Sequence, residues 1–358
     1  MDRIVNPTMI TLAREAQGMT QTELARRLKA PQSKVSKIEG GLIGVTPDTL
    51  AALSHILKFP EKFFYQTFEV YPAGIHLYLY RKHKTLHAKD LSRIVAWMNL
   101  YRSHVKKLLT SAEIDYKPVP QYDIDEFGSV RAIARAVRHH VGLPSGPVQN
   151  MTAVLEDMGV VVIPYDPGTR LFAGASMLSE KPNYVVVANS TMPGDRWRWT
   201  LAHELGHMVM HRIPTAKMED EANEFAAEFL MPVRDIAPYF SEPRFPSIDQ
   251  LAVLKQVYKV SMLAVLVHAK KSGRISEDQY RTCITRMGKA GITRLQEPPE
   301  LNVPLEEPTL LTEIVDFHAK ELGYTAEQLS DLLPLDADMF LDSYRFTGRA
   351  LRLVRSIG

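Results

Sequence analysis

The stretch Thr200-Leu201-Ala202-His203-Glu204-Leu205-Gly206-His207 sets two imidazoles four residues apart, with a carboxylate beside the first. In a helix, residues i and i+4 share a face, so His203 and His207 can bind one metal ion. The ion that suits this set is zinc, Zn2+, which lowers the pKa of a water to about 7 at an open coordination position. Glu204 is placed to take that water's proton and later to pass one to a leaving amine. Hydrolysis of a peptide bond is the chemistry these residue types fit.

A third protein ligand is needed. Position 213, where one zinc-protease pattern has a histidine, is Ile213. His211 lies close to the face of His207, but Arg212-Ile213-Pro214 signals the end of the helix. One helix cannot easily supply three ligands around a tetrahedron, so His211 reads as a helix-end or supporting residue. The next helical stretch, Met218 to Met231, carries Glu219, Asp220, Glu221, Glu224 and Glu228 around an apolar stripe of Ala222, Phe225, Ala226 and Phe229. Glu221, Glu224 and Glu228 are the candidates, and the pattern of this helix alone does not decide among them. For an oxyanion stabiliser, Arg196, Arg198, Tyr165, Tyr184 and His211 are of the right type, and the sequence singles out none.

The elements that must hold this site are a helical run from about Asp195 to Leu230 and a few strands upstream. Val160–Ile163 and Asn183–Ala188 read as strands and Leu171–Met177 as a third, with Pro164 expected to end the first by withdrawing a ladder donor. Val130–Val141 and Val148–Met158 look helical. Ser111 to Gly128 reads as a connecting segment, preceded by a helix from about Lys89 to Leu109. Residues 241–358 read as mainly helical, interrupted by Pro298, Pro299, Pro304 and Pro308.

A second chemistry sits at the N-terminus. Thr20 and Glu23 have capping-box spacing, Leu24, Ala25 and Leu28 give one apolar face, and Ala30-Pro31 makes a turn. Gln32 to Glu39 forms a second short helix with Val35 and Ile38 inward and Ser33, Lys34, Ser36 and Lys37 outward. Two short helices across a tight turn suit the DNA major groove. Gln32, Ser33, Lys34 and Lys37 are candidates for base edges and phosphates, and Thr20 and Gln21 for a phosphate at a helix start. The charge balance agrees: residues 1–111 hold 17 Lys+Arg against 8 Asp+Glu, +9, which leaves −7 for the remainder of a chain whose net charge is +2.

TQTELARRLKAPQSKVSKIEGG resembles the Xre/Cro-type helix-turn-helix, from about Ile10 to Phe64. RWTLAHELGHMVMH followed by EDEANEFAAEFLMP resembles the ImmA/IrrE family of metallopeptidases. That resemblance implies His203 and His207 as zinc ligands, Glu204 as the catalytic acid–base, and the acid just before Ala-Asn, Glu221, as the third ligand. It also implies an edge strand able to hold an extended substrate. Arg81-Lys82, Leu143–Val148, Pro304–Leu311, Glu321–Tyr324 and Leu351–Val354 look like members of that family carrying a fused Xre domain.

The expected fold is mainly α with a small α+β zincin-like core. A five-helix helix-turn-helix domain is expected over 1–70, a basic helical linker over 71–115, a metallopeptidase domain over 116–290 and a C-terminal helical region over 291–358. The chain has 358 residues, 45% of them hydrophobic and 23% charged, which is ordinary globular usage and excludes a wholly disordered or fibrous chain. No run of about 18 apolar residues and no signal-peptide pattern appears. The single cysteine, Cys283, can form neither an internal disulfide nor a thiolate metal cluster, which fits a cytoplasmic protein with no membrane association. Expected partners are operator DNA, a second copy of the chain and a protein substrate such as a repressor or antitoxin, or the chain itself. The alternative is a transcription factor whose zinc or ligand-sensing domain has no turnover.

Overall fold

The computed structural model describes residues 4–71, 86–112, 116–180, 183–241, 245–293 and 296–335. Arg81-Lys82 and Leu351–Val354 lie outside the described residues. The chain divides into two compact units. One comprises Met1–Ile114, Met177–Val185 and Thr309–Gly358; the other comprises Asp115–Ser176 and Val186–Pro308.

The first unit opens with four helices, α1 (Pro7–Ala16), α2 (Gln21–Arg27), α3 (Gln32–Glu39) and α4 (Pro47–Leu57). The expected fifth helix is a 3-10 turn, Glu61–Tyr65. Three of the four starts are capped by a side chain. Asn6 caps α1 by accepting from Thr8 N, Thr20 and Glu23 form a reciprocal capping box on α2, and Thr46 caps α4 ahead of Pro47. Met9, Ile10, Leu24, Val35, Leu53 and Phe63 close the core, each at 2% exposure or less. Each contributes about 1.5–3 kcal/mol of apolar burial.

The long helix α5 (Ala88–Leu108) groups with this unit. Trp97 Nε1 donates to Ala16 O at 3.0 Å, and Lys89 Nζ pairs with Glu23 at 2.9 Å. The helices Leu310–Lys320 and Ala326–Leu332 belong to the same unit, where Lys107 Nζ donates to Leu332 O at 3.1 Å.

The second unit carries α6 (Val130–His140), α7 (Met151–Glu156) and a sheet formed with β1 (Val161–Tyr165), β2 (Gly174–Glu180) and β3 (Asn183–Asn189) in the order β1-β3-β2. The far end of the β2–β3 pair, Met177–Val185, groups with the first unit. Pro164 does not end β1, as expected from the sequence, but lies inside it. β1 is an edge strand with one neighbour, where a residue lacking an N–H is accommodated.

Next come α8 (Gly194–Met210), α9 (Met218–Leu230), α10 (Ile248–Tyr258), α11 (Met262–Lys271) and α12 (Glu277–Lys289). The base of α8 is fixed by buried polar groups. Arg198, fully buried, pairs with Glu306 and donates to Val148 O at 2.6 Å; Glu306 also accepts from Thr152 N at 2.8 Å. No Cβ fits at Gly194, because the carbonyls of Val303 and Pro304 lie against it. The Pro-rich segment is thereby seated on the start of α8. No single helix among the described residues is long and apolar enough to cross a membrane.

Candidate metal centre and DNA-facing helix

The short connection between α8 and α9 makes them antiparallel neighbours. Gly206 lets them approach closely: a Cβ there would stand 3.1 Å from the ring of Phe225. This contact brings the first turn of α9 beside the last turns of α8. His203 Nε2 and His207 Nε2 lie 3.0 Å apart. Glu219 reaches both, with Oε2 at 3.4 Å from His203 Nε2 and Oε1 at 3.3 Å from His207 Nε2. His203, His207 and Glu219 each offer one ligand atom, all within 4.8 Å of one another. Burial would raise the Glu219 carboxyl, but hydrogen bonds from His203 and His207 and their charges outweigh it and hold it well below the usual range.

The carboxylate brought to the imidazoles is therefore Glu219, not the expected Glu221. Two residues along a helix is a rotation of about 200°, so the two side chains cannot face the same point. Glu221 Oε2 instead stands 3.1 Å from His211 Nε2, while His211 Nδ1 stands 2.9 Å from His207 Nδ1. His211 is the C-cap of α8, as the sequence indicated. The runners-up are occupied elsewhere. Glu224 pairs with Arg131 at 2.9 Å. Glu228, buried, pairs with Arg135 at 3.2 Å and accepts from Val233 N at 3.2 Å; burial pushes its carboxyl up.

Glu204 lies on the same helix, 4% exposed, and its Oε2 accepts from Ser176 Oγ at 2.8 Å. Ser176 had no signal in the sequence. It is found only because Gly174 allows β2 to lie against Thr200 of α8, where a Cβ would be 2.6 Å from Thr200 Cγ2. Among the oxyanion candidates, Arg198 is taken up by Glu306 and the Val148 carbonyl.

The other expected surface is on α2 and α3. Gln32, Ser33, Lys34 and Lys37 are exposed along α3. Gln32 Nε2 donates to Gln21 Oε1 at 2.8 Å, and Gln21 Nε2 donates to Glu39 Oε2 at 2.9 Å. Glu39 is in turn held by Arg14, with Nε to Oε1 at 2.6 Å and a second bond at 3.0 Å. The Thr20 hydroxyl accepts from Glu23 N at 3.1 Å.

Residues 155–270 match the family model described as the IrrE N-terminal-like domain, a peptidase family. Residues 10–62 match the model of a helix-turn-helix domain. None of the curated proteins compared with the chain matches it. The matched ranges contain the convergent His203, His207 and Glu219 on one side and the α2–turn–α3 element on the other, and the chain thus carries a helix-turn-helix domain over residues 10–62 and an IrrE-like peptidase-family domain over residues 155–270.

Proposed function

We propose that the chain is a DNA-binding transcriptional regulator whose second domain is a zinc-dependent endopeptidase. It acts in the cytoplasm on a protein partner such as a repressor or antitoxin, or on itself. The observation that carries this reading is the convergence of two imidazoles and one carboxylate from two helices, with the buried Glu204 on the same helix.

His203, His207 and Glu219 fit a zinc ion by donor type, number and mutual distance. Zinc, when bound, supplies a Lewis acid that acidifies water and polarises a carbonyl. The remaining work falls to this chain's own groups. Glu204 accepts the proton of the attacking water and returns it to the leaving amine, and Ser176 fixes which way its carboxylate faces. His207 would hold the ion through Nε2, which would leave the proton on Nδ1, donated to His211 Nδ1. His211 then carries its own proton on Nε2 and donates to Glu221. Glu221 is in this reading a positioning residue, acting on the site through two imidazoles.

On the DNA side, Gln32, Ser33, Lys34 and Lys37 face base edges and phosphates of an operator, and Thr20 and Gln21 stand towards a phosphate at the start of α2. Gln21 also holds the Gln32 amide in place. Recognition by a homodimer fits a helix-turn-helix reading a palindrome.

Metal content by mass spectrometry tests the site. About one zinc per chain is expected in wild type, lost in His203→Ala and Glu219→Ala. Glu221→Ala keeps the stoichiometry and weakens affinity by about 10–100-fold. The reverse order of the two glutamates would restore Glu221 as ligand. Protein that neither contains zinc nor takes it up would sink the peptidase reading.

A further inference from the structure

A cavity of about 320 Å³ lies in the second unit beside the metal centre, walled by Trp199 of α8 and by Asn223 and Ala227 of α9. Helix periodicity fixes its place. Trp199 stands four residues before His203, and Asn223 four residues after Glu219. Each is therefore one turn, about 6 Å, from a candidate ligand on the same face. Trp199 Nε1 donates to Asn223 Oδ1 at 3.4 Å, and Asn223 Nδ2 donates to Glu219 O at 2.7 Å. Since α8 and α9 are antiparallel, Trp199–Asn223 is the rung next to His203–Glu219.

The other flank of α8 is lined by β2. Gly174 abuts Thr200, and Ser176 bonds to Glu204. β2 stands at the edge of the sheet. An extended peptide laid along that edge runs between β2 and α9, with α8 as the floor. Each residue of an extended chain advances ~3.3 Å, and the reach of one large side chain covers the rest of the ~6 Å between His203 and Trp199. A peptide whose scissile carbonyl stands at the metal centre thus brings a neighbouring side chain over the cavity.

We propose that this cavity is the specificity pocket of the peptidase site and takes a large aromatic side chain flanking the scissile bond. The inference rests on the peptidase reading above. The volume, at the small end of the ligand-pocket range of about 300–1,000 Å³, has room for one large side chain. Trp199 supplies an aromatic wall, and the short side chains of Ala227 and Ala264 leave depth opposite it. Arg131 is paired with Glu224 at 2.9 Å, so an acidic side chain meets no cluster of unopposed cations. The exposed Lys271, which also lines the cavity, favours the face of an aromatic ring over an aliphatic chain.

The test is calorimetric binding to the full-length, zinc-loaded chain. The probes are succinyl hydroxamates bearing hydrogen, isobutyl or benzyl on the carbon that enters the pocket. The benzyl probe is expected to bind at least about tenfold more tightly than the hydrogen probe and more tightly than the isobutyl probe. Trp199→Ala and Ala264→Phe are each expected to bring the benzyl-to-hydrogen ratio below about two, in protein whose zinc content and melting temperature show it folded. Two variants are used so that one folding failure leaves the other. Equal binding of benzyl and hydrogen probes to wild type, a preference for isobutyl, or a ratio that survives both substitutions would overturn the proposal while leaving the peptidase reading intact. If the hydrogen probe itself does not bind the zinc-loaded chain, the metal site is misread and the pocket falls with it.

Discussion

The helix-turn-helix and the candidate metal centre are both polar seams between helices, yet they treat their polar groups in opposite ways. In the first, donors and acceptors alternate: Arg14 donates to Glu39, Glu39 accepts from Gln21, and Gln21 accepts from Gln32. Such a chain is self-satisfying, so it stiffens the element and leaves Lys34 and Lys37 to face outward. In the second, groups that carry lone pairs converge. The two Nε2 atoms are 3.0 Å apart and the Glu219 carboxylate is within 3.4 Å of both. Protons can satisfy such a set only in part, whereas a divalent cation satisfies all three at once. A closed network positions a surface; a convergent one defines a ligand.

The comparison breaks most sharply at Glu204. Glu204→Gln keeps the shape and the contact with Ser176 but removes the proposed base. Cleavage of a protein substrate should fall by about 10²–10⁴-fold while zinc content and DNA affinity are unchanged. Retained cleavage would mean that Glu204 is not the proton carrier.

The closed network should fail differently, through stability. Arg14 and Glu39 are buried, with side chains 9% and 5% exposed. Arg14→Met strands a buried carboxylate and should cost about 3–5 kcal/mol in urea unfolding of the first unit. The double variant with Glu39→Met should recover most of that loss, because replacing a whole buried pair by apolar side chains is often neutral. If the double variant is no better than the single, the pair contributes more than mutual compensation.

A third effect, smaller at neutral pH, comes from His104 on α5. Burial first, and Lys107 second, push this imidazole down to about 3; a backbone hydrogen bond to Leu333 opposes them. The folded state therefore holds His104 neutral. Its contribution is fully present above the unfolded value of about 6.5 and is lost as pH falls from there towards about 3, to the extent of a few kcal/mol. Lys107, itself pushed down to about 8 by burial, stays charged throughout that window and adds no slope. Thermal melts of His104→Gln should show a flatter acid limb than wild type, and identical limbs would assign the acid sensitivity elsewhere.

What the sequence made legible follows from period and capping. The 3.6-residue spacing and Thr20–Glu23 place α2, and the apolar positions around His203 place α8, because these signals are local. The failures are matters of register between elements. Leu171–Met177 reads as a strand, but β2 begins at Gly174. The carbonyls of Thr169 and Phe172 are taken by the Asn189 side chain at 2.9 and 2.7 Å instead of by a ladder. The run Glu219-Asp220-Glu221 offers several carboxylates on successive faces, and which one meets His203 depends on where α9 begins relative to the end of α8. An antiparallel pair with a short connection favours the earliest acid, which is Glu219, so the signal was present in the connection length rather than in the motif.

The smallest effect is also the finest test of how the DNA-facing surface is divided. The Thr20 hydroxyl accepts from Glu23 N while the Glu23 carboxylate accepts from Thr20 N at 2.6 Å; that backbone bond, with Lys89 next, holds Glu23 down to about 2. The capping box therefore persists above the ordinary carboxylate pKa of about 4.5 and is lost only as pH falls through about 2. Thr20→Ala should cost about 1 kcal/mol of stability, and Thr20→Ser much less. Neither carries away a charge, so the slope of log affinity against log salt for operator DNA should stay where it is. Lys34→Ala, by contrast, should lower that slope by about one through the loss of one phosphate contact. A changed slope in Thr20→Ala would mean that the cap orients a cation on the DNA, joining the closed network to the binding surface rather than merely supporting it.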